Sequence, residues 1–80
     1  MRPLKTKYIR MKIEELGKLL KHRRMVLRLT IRDLADLTGM SKTTISQIER
    51  GISNPTFTVL QNIFEYLNLE MKVEVKKHNQ

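Results

Sequence analysis

The side chains able to do covalent or metal chemistry are few. Histidine occurs twice, at His22 and His78, and cysteine not at all. Without cysteine there is no thiol nucleophile, disulfide or iron–sulfur ligand, and a metal would have only His and carboxylates. No His-x-x-x-His pair, acidic cluster or phosphate-cradling glycine loop is present, so no metal or cofactor is expected. Helical spacing puts His22 among Lys21, Arg23 and Arg24, a surface place rather than a ligand's. Ser41 and Ser46 have no general base nearby and read as helix cap and contact, not nucleophile. Hydrogen-bonding chemistry is richer. Ile45 and Ile48 are spaced to pin one short helix to a core, which leaves Lys42, Thr43, Ser46, Gln47 and Arg50 on its outward faces. A Lys can bond guanine O6 and N7, a Gln can bond adenine bidentately, and a Thr methyl can pack on the thymine methyl. The plainer reading of the same residues is a solvated polar helix face.

Those residues need elements to hold them. From Ile13 the apolar residues Ile13, Leu16, Leu20 and Leu27 recur at helical steps, with Glu14 and Glu15 at the favoured anionic start. This first helix should end near Leu27–Arg28. Gly17 inside it costs about 1 kcal/mol relative to Ala, and so marks a close helix–helix approach. Thr30 caps a second helix over about Ile31–Leu37, with Asp33 in a variant capping box and Leu34, Ala35 and Leu37 facing inward. Thr38-Gly39 ends it. Ser41 caps the third helix, Gly51 ends that one, and Ser53-Asn54-Pro55 is a loop. Thr56 caps a fourth helix carrying Val59, Leu60, Ile63, Phe64 and Leu67. The last segment switches to a step of two: Leu69, Met71, Val73 and Val75 alternate with charged residues, as in a half-buried strand. A lone strand has no partner for its backbone groups within its own fold, so it calls for a second chain.

Eighty residues suffice for one small domain and leave little room for a deep substrate cleft. The longest apolar run is Met25-Val26-Leu27, too short to span a bilayer, so no membrane role is expected. A formal charge of +8 favours a polyanion as partner. The excess is uneven: residues 1–28 net +8, residues 29–68 net −1 and residues 69–80 net +1. It therefore belongs to a basic arm, residues 1–12, expected to be disordered alone, and to the first helix. A solubilising tail explains it as well as a phosphate-gripping one does.

Two short helices joined by a tight glycine turn inside a small bundle make a helix-turn-helix. The stretch Leu29-Thr30, Leu34-Ala35, Gly39-Met40-Ser41-Lys42-Thr43-Thr44-Ile45-Ser46-Gln47-Ile48-Glu49-Arg50-Gly51 and Asn54-Pro55 resembles the Cro/repressor-type (XRE-like) DNA-binding family. The resemblance covers about residues 13–68 and is ungapped from Leu29 to Pro55. It implies an all-α, four- to five-helix repressor-like DNA-binding bundle. By the same resemblance Lys42, Thr43 and Gln47 fall at base-reading positions, with Thr44 and Ser46 beside them. Arg50, Ser53, Asn54 and Thr56 become candidate phosphate contacts. Arg24 and Glu49 fall where the family places an ion pair tying the first helix to the third. Two positions depart from the pattern. Ile31 stands where the family often has a phosphate-binding Gln, which leaves Arg32 to supply charge there, and Arg23 stands where the family often has Leu.

The ending Leu67-Asn68-Leu69-Glu70-Met71-Lys72-Val73-Glu74-Val75 resembles that of HipB-like antitoxins and related regulators. That likeness implies a dimerisation strand over residues 69–76, followed by a short tail, residues 77–80. The expected function is a cytoplasmic, homodimeric, repressor-type regulator that binds double-stranded DNA at a palindromic operator. The alternatives are an antitoxin that also binds a cognate toxin protein and, from another class, an RNA-binding module. Sequence-specific RNA recognition stacks bases on exposed aromatics, whereas Phe57, Phe64 and Tyr66 fall in or beside core positions. An enzyme is the least expected.

Overall fold

Each helix begins where a side chain answers the N–H groups that the first turn leaves unpaired. Glu15 Oε1 accepts the Lys12 N–H at 3.0 Å. Thr30 Oγ1 accepts from the Asp33 N–H at 2.9 Å, and Asp33 Oδ2 accepts from the Thr30 N–H at 2.8 Å, completing a reciprocal box. Ser41 Oγ accepts from the Thr44 N–H at 3.0 Å, and Thr56 Oγ1 from the Val59 N–H at 3.2 Å. The computed structural model describes residues 12–72 and 75; among them these caps open α1 (Ile13–Val26), α2 (Ile31–Thr38), α3 (Lys42–Glu49) and α4 (Phe57–Leu67). The basic arm, apart from Lys12, lies outside the described residues, as does the 77–80 tail.

The bonds from Thr30, its backbone N–H first and its hydroxyl second, hold the Asp33 carboxyl below its ordinary value. Because the folded value is the lower one, the carboxylate supports folding at neutral pH, and that support fades as pH falls through the depressed value. Asp33→Asn is thus expected to lower the urea midpoint at pH 7, with the gap to wild type closing under acid. A gap independent of pH contradicts the box.

All four helices close on a residue with positive φ: Arg28 (60°), Gly39 (75°), Gly51 (73°) and Asn68 (57°). After α1, the Leu29 N–H reaches the Arg24 carbonyl at 3.0 Å and the Arg28 N–H the Met25 carbonyl at 2.9 Å. These are the two bonds of a Schellman end.

The core is Leu20, Leu34, Ile45, Ile48, Leu60, Ile63, Phe64 and Leu67. α1 packs on α3, α2 packs on α3 and α4, and α1 also touches α4. Gly17 sits at the α1–α3 crossing, where an added Cβ would lie 2.5 Å from the carbonyl oxygens of both Ile48 and Glu49. The close approach expected from that glycine is present.

Four expectations change. Leu27 is exposed rather than inward, because the core position four residues after Leu20 belongs to Arg24. Leu37 is exposed because Thr38 takes the inward arc four residues after Leu34, its hydroxyl donating to the Leu34 carbonyl at 2.7 Å. Phe57 and Tyr66 are 55% and 41% exposed, so of the three aromatics weighed against base stacking only Phe64 is in the core.

The fourth is the terminal strand. Among the described residues the fold is all-helical, and residues 69–72 and 75 carry no strand. Asn68 turns the chain in the left-handed region, and the Leu69 N–H closes on the Phe64 carbonyl at 2.9 Å. Leu69 therefore completes the α4 end and packs against the core, while Met71 is 43% and Val75 89% exposed. A strand has no ladder within one chain here. Val73, Glu74 and Lys76 lie outside the described residues.

Candidate nucleic-acid interface

α3 is fixed from behind before its outward face is available for anything. Ile45 and Ile48 bury almost completely, and the Gly17 crossing lets the end of α3 lie against the α1 backbone. Glu49, its last residue, is buried with Arg24. Arg24 Nε donates to Glu49 Oε2 at 2.7 Å and Nη2 to Oε1 at 3.0 Å, a two-pronged pair. Nη1 donates to the Leu29 carbonyl at 2.8 Å. One guanidinium thus links α1, the α1–α2 turn and α3. The two residues expected to pair meet here, and the Arg24 side chain is only 9% exposed.

α2 is held from the other side. Asn62 Nδ2 on α4 donates to the Thr38 carbonyl at 2.9 Å, securing the end of α2 beside the Gly39 turn. Arg23, one of the two departures from the family pattern, donates through Nε to the Leu67 carbonyl at 2.8 Å. It answers one of the carbonyls that the end of α4 leaves without an intrahelical partner. This role was missed in the sequence, where Arg23 counted as charge and as a departure from the family's Leu.

On this frame Lys42, Thr43, Ser46, Gln47 and Arg50 line one open depression, together with Ile31 from the first turn of α2. Four of the five expected base-reading residues are therefore together, with Arg50 at the same groove. Thr44 is the exception: its hydroxyl lies 2.8 Å from Ser41 Oγ, in the cap of α3. Ile31 was absent from the expected site because it lacks a donor; its place at the start of α2, beside α3, is what brings it in.

The expected phosphate contacts divide. Arg32, Arg50, Asn54 and Thr56 are exposed, although the Thr56 hydroxyl also caps α4. Ser53 is half-buried, with its Oγ enclosed. Among the described residues no group of three His, Cys, Asp or Glu is placed to hold a metal, and no helix is long and apolar enough to cross a membrane.

A family model described as helix-turn-helix (HTH_3) matches residues 20–73, from α1 through the segment after α4. The chain belongs to this helix-turn-helix family. The family is the Cro/repressor-like, XRE-type one that the Gly39–Gly51 stretch resembles, and its members are DNA-binding regulators. Solved structures agree. The restriction-modification controller C.AhdI from Aeromonas hydrophila is 24% identical over 72% of this chain and 88% of its own, with a TM-score of 0.70, which establishes the fold. The controller C.Esp1396I, solved as a tetramer on its natural 35 base-pair operator, is 29% identical over 72% of this chain and 76% of its own (TM-score 0.68). The biofilm regulator SinR, solved with DNA, is 27% identical over 69% and 89% (TM-score 0.65). Among curated proteins no match is found. These neighbours lend the antitoxin alternative no support.

Proposed function

We propose that this helix-turn-helix protein is a repressor-type transcriptional regulator that binds a palindromic operator as a homodimer in the cytoplasm. One observation carries the reading: Lys42, Thr43, Ser46 and Gln47 share a groove with Arg50 on a helix packed against α1 and α2 and tied to α1 by the Arg24–Glu49 pair. A helix entering the major groove reads base edges with its first turns, and Lys42, Thr43 and Gln47 are spaced to do so. Arg50, Asn54, Thr56 and Arg32 flank that helix and would meet the backbone, fixing register rather than choosing sequence. That C.Esp1396I and SinR are solved on DNA supports DNA over RNA as the partner.

A second surface supports two copies. Phe57, Phe64, Leu69 and Met71 line a depression with Gln61, Glu65 and Glu70 that shares no residue with the α3 groove. Covering it with a twofold mate would remove the exposed Phe57 and Met71 from water and leave both recognition helices free. Half-sites in such a dimer stand about 34 Å apart, one turn of DNA.

Selection from a randomised duplex library tests the whole reading. Recovered sequences should carry two inverted half-sites with centres one helical turn apart. Gln47→Ala should then lose about 1–3 kcal/mol at one base pair of each half-site and relax specificity there. Uniform weakening on every sequence contradicts the base-reading role, and a single unrepeated half-site contradicts the dimer.

A further inference from the structure

Beside the α3 groove lies a second, wider depression, lined by Met25, Arg28, Leu29, Ile31, Arg32 and Lys42 above the buried Arg24. Ile31 and Lys42 belong to both. The floor is apolar and three cations stand around it: Arg28 from the α1–α2 turn, Arg32 from α2 and Lys42 from α3. Arg24 contributes no free charge, because Glu49 neutralises it, and that is the one ion pair among the described residues. No carboxylate lines the depression.

Arg28 holds an unusual place. Four helix ends need a left-handed residue, and the other three use Gly39, Gly51 and Asn68, the residue types that adopt it with least strain. At Arg28 the chain instead holds a long cationic side chain at φ 60°. Strained backbone persists where the surroundings fix it, and it marks places where the side chain has a task. Here the task would be to put a charge beside the α3 groove.

We infer that Arg28 and Arg32, with Lys42, form a clamp on the DNA backbone flanking the bases that α3 reads. Resting on the DNA-binding reading, this adds Arg28 as a binding residue and names its ligand as phosphates with their sugars. The chemistry matches on both counts. A duplex strand alternates anionic phosphates with apolar deoxyribose faces, and the depression sets cations around an apolar floor. Because Lys42 and Ile31 border both surfaces, a strand gripped there leads directly to the bases in the α3 groove. The clamp fixes register and adds affinity without choosing sequence.

Arg28→Gly separates binding from folding, because it removes the cation and relieves the left-handed strain together. Binding is read by fluorescence anisotropy, using a labelled duplex recovered from the randomised library at several salt concentrations. The variant should melt at a higher temperature than wild type yet bind several-fold more weakly. Its plot of log affinity against log salt should flatten by about 0.9 for the lost phosphate contact. Single-base variants of the duplex should weaken in equal proportion. Arg32→Ala, on an exposed helical face, should flatten the slope similarly with little change in melting. Wild-type slopes in both variants overturn the clamp while leaving DNA recognition standing. Failure of the wild-type protein to bind any duplex overturns both.

Discussion

Glu49→Ala is expected to cost about 3–5 kcal/mol, the cost of leaving a buried charge without its partner. The Arg24 guanidinium would retain only the Leu29 carbonyl, inside a site where its side chain is 9% exposed. For a small domain whose whole stability is about 5–15 kcal/mol, that loss removes a large fraction of the folding free energy. Urea unfolding at pH 7 measures it. Replacing both partners by Met should restore much of the loss, because well-packed apolar residues can replace a buried ion pair at little or no cost. A loss below about 1 kcal/mol in Glu49→Ala would equate the pair with an exposed one and remove the argument. The effect extends to binding. Glu49 is the last residue of α3, so its bonds to Arg24 set how that helix projects from the bundle. Glu49→Gln, which keeps the shape and an acceptor, should fold better than Glu49→Ala yet still lose affinity through a looser α3.

The same pair shows what could be read in the sequence. Hydrophobic spacing along α1 gives Leu16 and Leu20 and then skips to Leu27, because the core position between is charged. Periodicity scores a residue by type and so sees Arg24 as surface; only the resemblance to a family placed Glu49 opposite it. Helix starts were legible for the opposite reason. Thr30, Ser41 and Thr56 act through bonds three residues away, so local sequence contains the whole interaction. The α3 groove was legible in part. Its polar residues follow from the places of Ile45 and Ile48, but Ile31 joins through tertiary packing. The enclosure of the Ser53 Oγ was not legible, because a loop hydroxyl carries no sign of its burial.

Charge was the least legible signal of all. A net −1 over residues 29–68 argues against a phosphate-binding surface if every charge counts equally. They do not. Glu49 is spent on Arg24, whereas Arg32, Lys42 and Arg50 remain exposed. Arg28 adds to them across the α1–α2 turn. Its signal was available as a helix end with neither Gly nor Asn at the left-handed position, once that position was known.

Gly17→Ala is expected to destabilise the fold by about 2 kcal/mol, although the exchange favours the helix itself by about 1 kcal/mol. The opposing effect is steric. A Cβ at residue 17 would stand 2.5 Å from the Ile48 and Glu49 oxygens and 2.8 Å from the Glu49 carbonyl carbon. All three are backbone atoms, so no rotamer change relieves the contact and α3 itself must withdraw from α1. That withdrawal pulls on the Arg24–Glu49 pair, which tolerates little lengthening before a buried charge loses its bonds. Gly39→Ala is the control. It meets nothing within 4 Å and bears only its positive φ of 75°, so it should cost about 1 kcal/mol without moving α3. Thermal melts of the two variants separate close packing from backbone conformation, and a Gly17→Ala protein as stable as wild type contradicts the crossing. Binding separates them further. At temperatures where both variants are fully folded, Gly17→Ala should weaken DNA binding and Gly39→Ala should weaken it less, because only the first shifts the helix that carries Lys42, Thr43 and Gln47.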